Sequence, residues 1–230
     1  MYTEDHYNKF WENIINQLPR GGSYRFDQRA EAYGKIMDLI PEGSTVFDYA
    51  CGLAMASIKL SKDKKCKVAG CDFSSVAINY AKKESGGDFR ATDKVFGGPY
   101  DFVILSHYLE HIDNPAEFLN ELFKFTNNII ISLPNNFRHI GEHELMQWSN
   151  WTEFNELFKD FTFKRVDQGY TTKTHHAWHH PIFLFTEEKN MHQNYIEEKP
   201  VKKPAKKKRK VNAKKKKITT VNVEKTENIE

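Results

Sequence analysis

Residues 45–54 read Thr45-Val46-Phe47-Asp48-Tyr49-Ala50-Cys51-Gly52-Leu53-Ala54, a short apolar run that ends on an acid and passes into small side chains. β-Branched and aromatic residues at 45–48 predict a buried strand. Small residues at every second position after it let the main chain approach a ligand closely. A helix starting near residue 53 would then offer its free N–H groups to an anion such as a carboxylate. Such a turn alone is weak, because small residues also serve any tight connection after a buried strand, so its meaning depends on its surroundings.

Downstream, strand-like runs fall at 67–72, 89–92, 100–105, 128–133, 161–166 and 182–186. Helix-like segments at 53–61, 75–83 and 115–125 separate the first five strands, with a shorter link before Tyr100. Strand and helix in alternation predict a parallel sheet covered on both faces. The last two strands are joined by too short a link for a helical crossover and should pair antiparallel. The expected fold is α/β: a doubly wound, mostly parallel seven-stranded sheet with a terminal antiparallel hairpin. Upstream, Tyr7, Phe10, Trp11, Ile14, Ile15 and Leu18 recur at helical spacing, and a second helix carries Phe26, Ala30, Tyr33, Ile36, Met37 and Ile40 before Pro41-Glu42-Gly43 ends it.

Open α/β sheets bind ligands beyond the carboxyl ends of their strands, where strand order reverses. Asp48 ends the first strand and Asp72 the second, where a carboxylate can accept both hydroxyls of a ribose. The segments VFDYACGLA, VAGCDFSSVAINYAKK and YDFVILSHYLEHIDNP, followed by IIISLPNN, resemble the successive motifs of the class I S-adenosylmethionine-dependent methyltransferases. The LEH and PN segments are closest in style to the ubiquinone-biosynthesis O-methyltransferase branch. The resemblance covers about residues 24–188 and implies a Rossmann-like methyltransferase fold with S-adenosylmethionine as cofactor.

Residue by residue, the resemblance implies that Asp48 and the turn Ala50, Cys51 and Gly52 hold the methionine end. It implies that Asp72 binds the ribose, Phe73 packs on the adenine, Asp93 bonds its amino group and Ser106 closes the floor. Ala50 and Ala54 stand where the family usually and often, respectively, has glycine. Alanine fits there without cost only at negative φ. A nicotinamide oxidoreductase is the alternative for the same sheet, but its turn wants G-x-G-x-x-G where this chain offers Ala50, Gly52 and Met55.

Methyl transfer from a sulfonium needs proximity, orientation and, for an oxygen nucleophile, a base. His107 and His111 after the fourth strand and His143 after the fifth are the candidate bases. An equally good reading has His111 capping or packing the next helix. Tyr24, Tyr108, Asn135, His139, Trp148 and His176 are the candidate acceptor-binding residues. The resemblance also implies Glu110 and His111 as a weak candidate metal pair, although no metal is expected. The segment SHYLEH departs from the Asn/Asp-Pro-Pro-Tyr/Phe of amino-directed DNA methyltransferases, and no Pro-Cys pair is present for attack on a pyrimidine ring.

Of the chain's 230 residues, 199–217 hold eleven Lys and Arg209 with no acid, so a net charge of +3 conceals a body of −9. Such a segment neither orders by itself nor reads sequence, but it attracts polyanions in a salt-dependent manner. Within it, 204–211 resembles a monopartite nuclear localisation signal. Three cysteines without paired spacing fit a reducing, cytoplasmic setting, and no apolar run reaches membrane-spanning length. The expected organisation is N-terminal helices over the cofactor and substrate edge at 1–43, a cofactor-binding domain at 44–188 and a basic disordered tail at 189–230. The expected activity is methyl transfer to an O or N of a small molecule or an exposed nucleotide or glycan group, with the tail as polyanion tether. A catalytically silent module that binds nucleic acid through its tail is the alternative.

Overall fold

The central strands are buried over most of their length on both faces, and the alternate facing of their side chains sorts the core into two layers. The computed structural model describes residues 3–18, 24–134, 148, 150–167 and 181–187, with the side chains of 24–31 outside that description. Its strands are β1 (Thr45–Tyr49), β2 (Lys67–Asp72), β3 (Asp88–Ala91), β4 (Phe102–Ser106), β5 (Asn128–Ser132), β6 (Thr162–Arg165) and β7 (Ile182–Thr186). Helices α1 (Glu4–Gln17) and α2 (Tyr24–Leu39) precede the sheet. Helices α3 (Met55–Lys64), α4 (Ser75–Ser85), α5 (Pro115–Leu122) and α6 (Trp151–Leu157) are interspersed with the strands.

The sheet order is β3-β2-β1-β4-β5-β7-β6. β1 to β5 are parallel, and β7 runs antiparallel to both β5 and β6. The α/β class, the seven strands and the closing antiparallel pair are therefore as the sequence predicted. Because β7 reverses and β6 reverses again, β6 ends at the same edge as β1 to β5. Strand order turns around between β1 and β4, so the carboxyl ends of these two mark the switch point.

Val46, Ile104, Ile130 and Ile182 face one side, where they pack with Ile36 of α2, Ile40 just beyond it, Leu60 of α3 and Ile78 and Ala81 of α4. Phe47, Val103, Ile129 and Phe183 face the other, with Leu119 and Leu122 of α5 and Phe154 of α6. Full burial of each such side chain contributes about 1.5–3 kcal/mol, which makes both faces obligatory. α2 thus shares the sheet's own core.

Helix starts follow local chemistry. The Ser74 side chain accepts from Ala77 N–H at the head of α4, and Asn114 accepts from Glu117 N–H at the head of α5, with Pro115 at its first turn. Helix α6 is absent from the sequence reading, although Asn150-Trp151-Thr152-Glu153 carries the cap signature that opens it, with Asn150 accepting from Glu153 N–H at 3.0 Å. Tyr100, predicted to open the fourth strand, forms only an isolated bridge to Thr126.

A candidate cofactor site at the switch point

The turn after β1 is held from three sides. Asp48 is buried, and its Oδ2 accepts from Ser57 Oγ of α3 at 2.7 Å. Cys51 N–H donates to Cys71 O at 2.9 Å, which ties the turn to β2. Asp72, at the end of β2, accepts from Gly52 N–H at 2.8 Å and from Ser74 N–H at 2.9 Å. Gly52 has φ +52, and a methyl group added there would come within 2.6 Å of the Trp11 ring. Glycine therefore serves a left-handed turn and the close seat of an α1 side chain at once.

Ala50 and Ala54 are left-handed too, at φ +51 and +53. The condition under which alanine fits freely is thus not met. Each position stores strain of about 1 kcal/mol. Ala54 is the N-cap of α3 and makes no side-chain cap bond, which leaves that helix start without a side-chain acceptor.

Electrostatically the turn favours a cation. Burial pushes the Asp48 carboxyl up to about 7, with the Ser57 hydroxyl opposing the shift and the charge of Asp72 adding to it. Burial also raises Asp72, against the N–H groups of Ser74, Gly52 and Phe73 that hold its charged form down. Among the described residues, neither acid pairs with a basic side chain. A ligand carrying an ammonium and a sulfonium relieves this excess of negative charge, whereas a pyrophosphate would aggravate it. Phe73 beside Asp72 is 56% exposed, a large ring held in solvent next to a carboxylate at a strand end. These features fit S-adenosylmethionine and disfavour a nicotinamide dinucleotide.

Helix α1 reaches the same place. Asn8 Oδ1 accepts from Ser74 Oγ at 2.6 Å and from Val76 N–H at 3.2 Å, so α1 is fastened to the start of α4. Neither Asn8 nor Ser57 could be found from local sequence, since their partners lie 68 and nine residues away. The Asp93 side chain is exposed, and its carbonyl accepts from the Tyr49 hydroxyl. Tyr49, Tyr108 and Phe118 form an aromatic wall, with ring centroids 5.1 Å apart for Tyr49–Tyr108 and 5.2 Å for Tyr49–Phe118. Ser106 Oγ lies 3.0 Å from Ser132 Oγ, bridging the ends of β4 and β5.

His107 closes β4 at φ +56, and its N–H donates to Ser132 O at 2.9 Å. Its Nδ1 faces Glu110 Oε1 at 3.5 Å. Glu110 is buried while His111 is exposed, so the two weak metal candidates are not brought together. Among the described residues, no group of three or more His, Cys, Asp and Glu is placed to hold a metal. His111 does not cap α5, because Asn114 does.

Trp148 corrects a further expectation. It is 2% exposed and packs on Phe154 and Phe158 at 5.2 and 6.1 Å, as a core ring rather than part of an acceptor pocket. Its ring partners Phe154 and Phe158 lie on and just after α6, so its burial depends on contact between separate segments. Asn135, His139, His143 and His176, the Tyr24 side chain and the 189–230 tail lie outside the described residues.

A family model for the methyltransferase domain matches residues 22–168, and the chain belongs to this family, with the class I fold. Magnesium protoporphyrin IX methyltransferase from Synechocystis PCC 6803, solved with bound S-adenosylmethionine, is similar at 17% identity and TM-score 0.59, covering 80% of this chain and 94% of that one. A TehB-like S-adenosylmethionine-dependent methyltransferase from Corynebacterium glutamicum is similar at 16% identity and TM-score 0.55, covering 79% and 98%. The N-methyltransferase NodS from Bradyrhizobium japonicum gives 14% identity, TM-score 0.55 and coverage of 70% and 97%. No curated protein sequence matches significantly. The quinone branch is not singled out among these likenesses. Among the described residues, no helix is long and apolar enough to cross a membrane.

Proposed function

We propose that this chain binds S-adenosylmethionine in the turn after β1 and transfers its methyl group to an oxygen or nitrogen of a small molecule or of an exposed nucleotide or glycan group. The observation that carries the reading is the pair Asp48 and Asp72, at consecutive parallel strand ends around Gly52, neither with a basic partner among the described residues. The cofactor supplies an already activated methyl group on a cationic sulfur. The chain's residues then have to bind, orient and deprotonate. Asp72 takes the ribose hydroxyls in exchange for Gly52 N–H, Phe73 stacks on the adenine, and α1 covers the cofactor through Trp11 and Asn8. His107 is the base at the acceptor side.

Calorimetric titration with S-adenosylhomocysteine tests the cofactor reading. Wild-type protein should bind, and Asp72→Ala should bind weakly; absence of heat from wild type defeats the proposal. Labelling of fractionated lysate with radioactive S-adenosylmethionine identifies the acceptor class. The segment 199–217 serves as a tether to polyanions, so truncation after Glu198 should abolish salt-dependent polyanion retention while leaving S-adenosylhomocysteine binding intact.

A second reading, a silent module that binds nucleic acid through its tail, is favoured by the two alanines at positive φ, which place extra methyl groups in the cofactor turn. It requires polyanion binding without any methyl transfer, so the same labelling experiment separates the two.

A further inference from the structure

We propose that Glu110 is the positioning carboxylate of His107, holding the imidazole proton on Nδ1 so that Nε2 serves as the base for the methyl acceptor. The inference rests on the methyltransferase reading above and deepens it at the acceptor side.

The pair is built by a sharp local turn. β4 ends at Ser106, and His107 takes a left-handed conformation that a non-glycine residue adopts at a cost and that recurs where a side chain must be re-aimed. A 3-10 turn at Leu109–His111 then folds the chain back. Glu110, three residues on, comes to lie with Oε1 3.5 Å from His107 Nδ1. Burial makes this a costly arrangement. Glu110 is 2% exposed, the His107 side chain is 11% exposed, and Glu110 Oε2 is buried without a hydrogen-bond partner. Among the described residues no Lys or Arg neutralises Glu110, and the imidazole is the one cation-capable group within ion-pair distance. A buried pair with one carboxylate oxygen unmatched is a poor source of stability, and such costly arrangements cluster at functional sites.

Location supports that use. Register pairs Leu105 with Tyr49 and Ser106 with Ser132, which places His107 one step beyond the switch-point edge, between the cofactor turn on β1 and the end of β5. Tyr108, next to it, joins the aromatic wall with Tyr49 and Phe118. His111 is on the exposed side of the same 3-10 turn and cannot substitute.

A carboxylate facing Nδ1 has no proton to give, so the neutral ring keeps its own proton there and carries its lone pair on Nε2, which is itself a buried atom. At 3.5 Å the contact is longer than a formed hydrogen bond, a separation common in such pairs before ligands tighten the site. In the reaction, the acceptor atom forms a bond to the methyl carbon as the carbon–sulfur bond breaks with its electron pair passing to sulfur. The acceptor's proton passes to Nε2. The imidazolium so created faces Glu110 and afterwards releases that proton to water.

The test is nitrogen NMR of full-length protein labelled on histidine, at pH 8 with S-adenosylhomocysteine present, with His107 assigned by comparison with His107→Gln. Wild type should show the Nδ1–H tautomer, Glu110→Leu should revert to Nε2–H, and Glu110→Gln, which keeps an acceptor oxygen, should retain Nδ1–H. Transfer to the labelled lysate acceptor should fall about a hundredfold in His107→Gln and in Glu110→Leu, with the double variant no lower than either. A Glu110→Leu protein with the wild-type tautomer, or with additive losses in the double variant, overturns the proposal. Glu110→Gln guards against a folding defect in the leucine variant. Calorimetry on the same proteins separates the two failures: loss of S-adenosylhomocysteine binding in wild type strikes the cofactor reading, while normal binding with an indifferent tautomer strikes only the pair.

Discussion

The two halves of the switch-point edge are built on different physical terms. The cofactor half, on β1 and β2, is a short local device: Asp48, Gly52, Ser57 and Asp72 lie within 25 residues and fasten one another by hydrogen bonds of 2.7–2.9 Å. The half proposed for the acceptor, on β4 and β5, rests on one strained histidine, one buried glutamate and an aromatic wall. Residues 135–147 and 168–180 lie outside the described residues. A site for an invariant ligand can be written into a single crossover connection, whereas a site for a variable acceptor is spread over the loops that can change without disturbing the sheet.

The sharpest way to break this division is to remove one residue from each half. His107→Gln should lower kcat about a hundredfold and leave S-adenosylhomocysteine affinity unchanged. Asp72→Ala should do the reverse to affinity, weakening binding about 30- to 100-fold through loss of charged hydrogen bonds worth ~2–3 kcal/mol. Calorimetry and steady-state rates on the two variants read the outcome. If both affect affinity alike, the halves are not separate.

A smaller effect comes from Asp48. In the folded protein its carboxyl keeps a proton up to about pH 7, while in the unfolded chain it loses it near 3.8. The folded state therefore binds more protons between those values, and stability falls as pH rises through that window and stays reduced above it. Asp48→Asn should consequently be more stable than wild type at pH 8, by about 2–4 kcal/mol, with the difference fading as pH falls toward 4. Urea denaturation at the two pH values checks it. The same substitution should weaken binding of the cationic cofactor, since the charge that destabilises the fold is the one the ligand needs.

The smallest expected change is at the left-handed alanines. Ala54→Gly should stabilise the protein by ~0.5 kcal/mol, the relief of positive-φ strain exceeding the added chain entropy of glycine. Thermal melting of Ala50→Gly and Ala54→Gly against wild type measures it. A loss of stability at both would mean that the methyl groups contribute packing that outweighs the strain.

What the sequence determined by itself was everything whose cause is local. Short apolar runs gave β2 and β7 to the residue, and the helix-like segments between strands gave the starts of α4 and α5 at Ser75 and Pro115. Acids at the ends of consecutive strands marked the edge proposed for the cofactor. Its one clear misreading of a site residue, Trp148, came from an apolar ring whose partners belong to an unplaced helix. Only the tertiary structure decided the rest. It set the sign of φ at Ala50 and Ala54, the seating of Trp11 on Gly52, the bond from Asn8 to Ser74, and the inward turn of Glu110 toward His107 while its neighbour His111 faces out. Those features depend on how separate segments close against one another, and a linear pattern carries no record of that closure.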